Sequence, residues 1–320
     1  MSPRRARPRS ARPSRRRRLL HVGAASLVLL GATTAGTAYV RAHDRDGLVS
    51  SSAAPEAMEA TVEPGTAPTR ASGSPSQAPP TPAADPDALL AEAVEAVPLE
   101  DGARVSVAVL DLASGRSAVY GDAAFDTASI VKVDILAALL LLAQDEDRAL
   151  TVQEKAYASA MIRSSDNASA TALWYAIGRA EGLAAANERF GLRDTEGGDG
   201  ALWGLTRTTA GDQLALLRQV FGSHSELDED ARAYLRELMG GVAEGQDWGV
   251  SAAGSDCALK NGWLPRSTTG LWDINSVGRV AADGRTYLVV ALSDGNSTMA
   301  KGISLVEAVS TAAVDVLADA

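Results

Sequence analysis

One run of fifteen residues constrains the fold of this chain more than any other feature. Residues 129–143 read SIVKVDILAALLLLA, in which Lys132 and Asp134 are the only charged side chains. A surface helix has a polar face, whereas this segment is apolar almost all the way round, which predicts a helix buried on every side. Burying an unpaired lysine costs free energy. Its presence in such a helix therefore needs an explanation, and a catalytic role is one. Asp134 is predicted to be the satisfied partner of a buried cation.

Three short motifs follow one another along the chain and carry residue types that work together in catalysis. They are Ser129-Ile-Val-Lys132, Ser165-Asp166-Asn167 and Lys260-Asn261-Gly262. Residues three apart share one face of a helix, and a lysine kept neutral by burial can take the proton of a serine hydroxyl. Each motif alone has an ordinary structural explanation, either a helix N-cap or a turn. Their order and setting together favour the catalytic interpretation.

The motifs resemble the S-x-x-K, S-D-N and K-T-G signature of class A β-lactamases and penicillin-binding proteins, with Asn261 where threonine or serine is usual. The resemblance covers roughly residues 87–320 and implies acyl transfer through a serine ester, without a cofactor. The catalytic residues that it implies are Ser129, Lys132 and Ser165. The substrate-binding residues that it implies are Asn167, Lys260, Asn261, Gly262 and Trp263. His21, His43 and His224 are too scattered along the sequence to indicate a metal site.

The resemblance also implies a role for each side chain. Ser129 resembles the nucleophile and Lys132 its partner in proton transfer. Ser165 resembles the hydroxyl that passes a proton to the departing nitrogen. Asn167 resembles the amide that holds the side-chain carbonyl of the substrate, and Lys260 resembles the cation that attracts the substrate carboxylate.

The oxyanion hole that the resemblance implies is made of main-chain groups. Its donors would be the N–H groups of Ser129 and Trp263. Gly262 would allow a close backbone approach. The Trp263 side chain either contacts the substrate or only packs at the strand edge against the helical lobe.

One part of the class A pattern is missing from this sequence. Class A enzymes remove the acyl group with a glutamate on a long loop, closely followed by an asparagine. The corresponding stretch here, Gly191–Arg207, is short and glycine-rich, contains no asparagine, and has Glu196 as its only glutamate. The resemblance therefore leaves three functions open: a β-lactamase-like hydrolase, a D-Ala-D-Ala peptidase or penicillin-binding protein, and a cell-wall-binding domain without turnover. The expected substrate is a β-lactam or a peptide resembling the peptidoglycan stem.

The periodicity along the chain predicts an α/β (α+β) domain. Helices are expected at 87–96, through most of 129–239 and at 302–318, and strands at 104–112, 117–120, 256–262, 274–281 and 286–293. This order resembles the β-lactamase-like fold, a five-stranded antiparallel sheet flanked by the terminal helices, with an all-helical lobe. Cys257 is the only cysteine, so no intradomain disulfide is possible. Strand alternation predicts that Cys257 is buried on the face opposite Lys260. We expect the domain to be a monomer.

The N-terminal region predicts export. Nine arginines lie within residues 1–18, and removing them leaves 21 basic against 40 acidic residues, which argues against nucleic acid as a partner of the folded part. Residues 19–40 contain no charge and are long enough to span a bilayer. This segment is either an uncleaved membrane anchor or a cleaved signal, and either fate places the domain outside the cytoplasm. Residues 41–86 are predicted to be a disordered tether and residues 87–320 the hydrolase domain.

Overall fold

The structure is a computed structural model that describes residues 85–319 of the chain. Its helices are α1 (Pro86–Glu95), α2 (Val131–Asp145), α3 (Val152–Arg163), α4 (Asn167–Ala176), α5 (Arg179–Phe190), α6 (Ala210–Phe221), α7 (Glu229–Met239) and α8 (Met299–Ala318). Its strands are β1 (Arg104–Asp111), β2 (Ser117–Tyr120), β3 (Phe125–Asp126), β4 (Arg207–Thr208), β5 (Ser255–Pro265), β6 (Trp272–Ala282) and β7 (Arg285–Asn296). Short 3-10 turns lie at Ala128–Ile130, Trp203–Leu205 and Val250–Ala253.

Five strands form one sheet in the order β2-β1-β7-β6-β5, and all neighbouring pairs are antiparallel. The β6–β7 hairpin turns at Asp283-Gly284, where both residues have positive φ, as a tight hairpin turn requires. Strands β3 and β4 form a separate two-stranded pair beside the helical lobe. The predicted α/β fold, with a five-stranded antiparallel sheet, terminal helices and a helical lobe, is confirmed.

The sheet separates two apolar clusters, and strand β5 contributes alternate residues to each. Ala258 faces the helical lobe, whereas Leu259 faces the layer formed by α1 and α8. Cys257 packs on the same side as Leu259, as predicted, but its side chain is only half-buried. The prediction of a fully buried thiol is therefore wrong. The ladder between β5 and β6 is irregular between Ser255 and Ala258, which places Cys257 at the irregular end of its strand.

Helix α2 is the centre of the helical lobe. Twelve of its fifteen residues are buried, including Lys132 and Asp134. It begins at Val131, two residues later than the sequence pattern suggests, because Ala128–Ile130 form a 3-10 turn instead. Ala128 has a positive φ of 48°, so the chain bends sharply just before Ser129. Ser129 is thereby presented on a turn at the end of a buried helix.

Within residues 85–319, no helix combines the length and the hydropathy that crossing a membrane requires. The predicted anchor or signal at 19–40, the basic segment at 1–18 and nearly all of the tether at 41–86 lie outside the described residues.

Candidate active site

The turn that carries Ser129 is held from two sides. The Thr127 N–H donates to Thr206 O at 2.8 Å, which ties the turn to the loop before β4. The buried Asn275 amide on β6 donates to Asp126 O at 2.9 Å and to Thr127 O at 3.1 Å. Because these bonds reach the residues just before Ser129, its hydroxyl is positioned by the sheet as well as by its own helix.

Strand β5 touches this turn at Gly262. A Cβ atom at Gly262 would lie 2.6 Å from Thr127 O and 2.9 Å from Ser129 N, closer than a real side-chain carbon comes. Only glycine allows the strand to lie this close to the turn that carries Ser129. The predicted oxyanion donors, the N–H groups of Ser129 and Trp263, therefore belong to two segments in direct contact.

Lys132 is the centre of a cluster of polar atoms. Its side chain is fully buried, and four oxygen atoms lie within hydrogen-bond distance of its Nζ. These are Ser129 Oγ at 2.9 Å, Ser165 O at 2.7 Å, Ser165 Oγ at 2.9 Å and Asn167 Oδ1 at 2.8 Å. A protonated amine has three hydrogens to donate, whereas a neutral amine has two hydrogens and a lone pair that can accept the Ser129 O–H.

The charge state of Lys132 follows from its surroundings. Burial lowers the pKa of its amine to about 7, and the nearby Asp166 carboxylate opposes this shift. Near neutral pH, a large fraction of the amine is therefore unprotonated and able to act as a base. The Asp166 carboxylate accepts the Ser169 N–H at 2.7 Å as the N-cap of α4, so it is committed to the helix terminus.

Ser165 lies between two lysines. Its Oγ is 2.9 Å from Lys132 Nζ and 3.1 Å from Lys260 Nζ. The main chain at Ser165 has a positive φ of 55°, which is unusual for a residue with a side chain. Burial, together with the charge of Lys132, lowers the pKa of Lys260 to about 7. The structure thus brings together five of the predicted residues: Ser129, Lys132, Ser165, Asn167 and Lys260.

The side chain of Asn261 is held by hydrogen bonds within the protein. Its Nδ2 donates to Gln246 O at 2.9 Å and to Trp248 O at 2.8 Å, and its Oδ1 accepts the Ser276 hydroxyl at 2.6 Å. Both amide hydrogens are therefore used within the protein, and the side chain is buried. The side chain therefore fastens the 246–248 loop to the sheet, and a substrate-binding role for Asn261 stays a prediction.

The Trp263 side chain lies at the edge of the cluster. Its ring centroid is 6.0 Å from Lys260 Nζ and 6.1 Å from the ring centroid of Trp248. The ring is half-buried, in the apolar layer on the α1–α8 side of the sheet. Packing against Trp248 is thus its observed contact.

The loop Gly191–Arg207 contains Glu196, but the residue of this loop that reaches the site is Trp203. Glu196 is exposed, and its main chain pairs with that of Arg207. Trp203 instead reaches the cluster, with its ring centroid 5.0 Å from Lys132 Nζ. The sequence showed a tryptophan in this loop but gave no sign of its contact with Lys132. It likewise gave no sign of the support that Asn275 gives to the nucleophile turn.

Among residues 85–319, no group of three or more His, Cys, Asp or Glu side chains is placed to hold a metal ion.

Asp134 is paired with the uncharged side chain of Gln213 and not with the buried cation that was predicted. Its Oδ1 accepts from Gln213 Nε2 at 3.1 Å, and Asp134 Oδ2 and Gln213 Oε1 are both buried without a partner in the structure.

The chain is similar to a known family in sequence and to solved structures in fold. A model of the β-lactamase enzyme family matches residues 149–317. No curated protein matches the chain in sequence. Among solved structures, the TLA-1 extended-spectrum β-lactamase has a TM-score of 0.65 at 15% identity, covering 73% of this chain and 99% of its own. A class A β-lactamase from Bacteroides cellulosilyticus has a TM-score of 0.63 at 17% identity, covering 74% of this chain and 100% of its own.

PBP-A is similar to this chain to the same degree. It has a TM-score of 0.62 at 20% identity, covering 73% of this chain and 97% of its own. A mutant of PBP-A with the same scores is described as an acyl-enzyme complex with penicillin G. At these identities, the likeness is one of fold.

Proposed function

The chain belongs to the β-lactamase enzyme family, and we therefore propose that it is a serine hydrolase that forms an ester on Ser129 with β-lactams or related acyl-D-Ala amides. The observation that carries this proposal is the position of Lys132 Nζ, 2.9 Å from both Ser129 Oγ and Ser165 Oγ. The Lys132 amine is thus within hydrogen-bond distance of both hydroxyls and can exchange a proton with either one.

In the proposed acylation, the neutral Lys132 amine takes the proton of Ser129 as Oγ attacks the amide carbon of the substrate. The developing oxyanion is stabilised by the N–H groups of Ser129 and Trp263. When the C–N bond breaks, the Ser165 hydroxyl gives its proton to the departing nitrogen and regains one from Lys132. Lys260 stands behind Ser165 at 3.1 Å and favours its ionised form during the transfer. We propose that the side-chain amide of Asn167, which lies beside Lys132, binds the side-chain carbonyl of the substrate.

The second step, removal of the acyl group, lacks a positioned carboxylate. Within the described part of the chain, the Asp166 carboxylate raises the pKa of Lys132 against the effect of burial, but it is committed to capping the N-terminus of α4. General-base assistance contributes about 10²–10⁴-fold to such a step. We therefore propose that the ester persists. This favours, as a second candidate function, a penicillin-binding protein or D-Ala-D-Ala peptidase over a fast β-lactamase.

The proposal is tested by the intact mass of residues 85–320 after incubation with benzylpenicillin. We expect the mass to rise by that of one whole penicillin, with the adduct on the peptide that contains Ser129. Ser129→Ala should abolish the adduct, whereas Ser164→Ala, a matched change in a neighbouring serine, should retain it. The acylation rate should increase with pH through about 7, because the base is the unprotonated form of Lys132. An adduct that survives Ser129→Ala would refute the assignment.

Two further assays separate the candidate functions. Rapid turnover of a chromogenic cephalosporin would indicate a β-lactamase, and release of D-Ala from an acyl-D-Ala-D-Ala peptide would indicate a peptidase. An adduct without either turnover would indicate a binding domain. An extracytoplasmic location, with residues 19–40 as anchor or signal, is likewise our proposal, and fractionation of cells expressing the full chain would test it.

A further inference from the structure

Trp203 lies on a 3-10 turn that packs against the turn carrying Ser129. An added Cβ on Gly204, the residue after it, would lie 3.9 Å from Ala128 O, so the two 3-10 turns are in contact. The next residue but one, Thr206, accepts the Thr127 N–H through its carbonyl at 2.8 Å and the Gly198 N–H through its hydroxyl at 3.2 Å. These bonds fix the turn relative to Ser129.

The indole of Trp203 is itself held in place. Its Nε1–H donates to Thr171 Oγ1 on α4 at 3.1 Å, and the side chain is half-buried. The ring centroid lies 5.0 Å from Lys132 Nζ, a distance at which a protonated amine is attracted to the ring. Trp203 is therefore fixed over Lys132 by its main chain and by its ring nitrogen.

No room is left for water between the ring and the amine. A water on the line between them needs about 2.8–3.0 Å to Nζ and roughly 3.5 Å to the ring carbons. Even allowing for the offset of the ring carbons from the centroid, this requires about 6 Å, whereas the ring centroid lies 5.0 Å from Nζ. On its other sides, Nζ is surrounded by the four oxygen atoms of Ser129, Ser165 and Asn167. The base closest to an ester on Ser129 is thus enclosed by protein atoms.

We propose that Trp203 is a positioning residue that keeps water away from Lys132 and thereby prolongs the life of the ester on Ser129. This inference rests on the proposed acyl-enzyme. In the hydrolysis that the ring prevents, water oxygen adds to the ester carbon while its proton passes to the neutral amine. The bond from carbon to Ser129 Oγ then breaks, and Oγ regains a proton from Lys132, so that the acid product and free enzyme are formed.

The test is the rate at which the penicillin adduct is lost after excess antibiotic is removed, followed by intact mass. Trp203→Ala opens the space beside Nζ, and we expect it to release the adduct at least tenfold faster than wild type. That faster rate should increase with pH through about 7, as Lys132 loses its proton. Trp203→Phe, which retains a ring, should return the rate to within about threefold of wild type. Trp272→Phe, in the apolar layer across the sheet, is the matched control and should change nothing.

A second measurement does not depend on the ester. Cyanate carbamylates the amines that it reaches, and peptide mapping gives the rate at Lys132 relative to that at the exposed Lys155. We expect this ratio to be at least fivefold higher in Trp203→Ala, or in Trp203→Leu should the alanine variant fail to fold. Normal acylation with an unchanged rate of adduct loss, or an unchanged cyanate ratio, would overturn the shielding role. Failure of the wild type to form any adduct would instead refute the proposed function.

Discussion

At the scale of single residues, the sequence predicted those contacts of the site that are local or belong to a motif. Ser129 and Lys132 are three apart where a 3-10 turn runs into α2, and helical spacing predicts their contact. The contact of Lys132 with Ser165 was expected only because three motifs occur together. Trp203 was missed because it lies on a loop without periodicity, and nothing in its neighbours ties it to Lys132. The internal hydrogen bonds of Asn261 were also missed, because spacing alone does not show that both its amide hydrogens are used within the protein.

Asp134 offers a prediction about pH and stability. Burial raises the pKa of its carboxyl to about 7, a shift that the Gln213 hydrogen bond partly opposes and the charge of Asp212 reinforces. Between pH 4 and 7, the folded state therefore holds a proton that the unfolded state has lost. Its contribution to stability thus falls as pH rises through this window and stays level above it. The protonated acid also has an O–H to donate, which suits the unpartnered Gln213 Oε1.

We expect Asp134→Asn to remove this loss, because asparagine stays neutral at every pH. Relative to wild type, the variant should gain stability from pH 4 to pH 8, by at most about 4 kcal/mol for a shift of some three pKa units. Urea unfolding at several pH values measures the difference between the two proteins, which cancels the contributions of Lys132 and Lys260. A difference that is constant across this range would mean that Asp134 is ionised in the folded protein at all these pH values.

At the scale of elements, the geometry of the candidate active site depends on how closely strand β5 approaches the turn that carries Ser129. The sequence predicted the strand and the turn, and it marked Gly262 as a point of backbone approach. It did not show the turn's 3-10 geometry, because the apolar pattern continues unbroken from Ile130 into α2. The spacing between the two segments is a tertiary distance, which periodicity does not encode.

Gly262→Ala tests this approach. The added carbon would collide with Thr127 O and Ser129 N, at 2.6 and 2.9 Å, so the strand and the turn must separate. We expect acylation by benzylpenicillin to slow by about 100-fold, comparable to losing one oxyanion donor, while circular dichroism remains that of the folded protein. Gly204→Ala is the matched control, because its added carbon would meet only an ordinary contact of 3.9 Å. Equal acylation rates for the two variants would show that the close approach is not needed.

At the scale of the whole molecule, the order of elements predicted the fold better than any single segment did. Two strands, a long helical stretch, three strands and a final helix correspond to the observed sheet and helical lobe. The two apolar clusters on opposite sides of the sheet follow from strand alternation. The small β3–β4 pair was missed, because two-residue strands leave no recognisable pattern.

Helix α1 has a mechanical consequence for the domain. It packs through Leu90 and Val94 onto the layer that contains α8, and Asp87 accepts the Val119 N–H at 2.8 Å. It belongs to no strand ladder and carries none of the predicted site residues. Tension applied through the N-terminal segment is therefore borne first by α1. This helix should detach before the strands of the sheet separate.

Single-molecule pulling between residue 85 and residue 318 should show a rupture of α1 at low force before the main unfolding of the domain at higher force. A clamped domain stretched only to the first rupture should still bind a fluorescent penicillin.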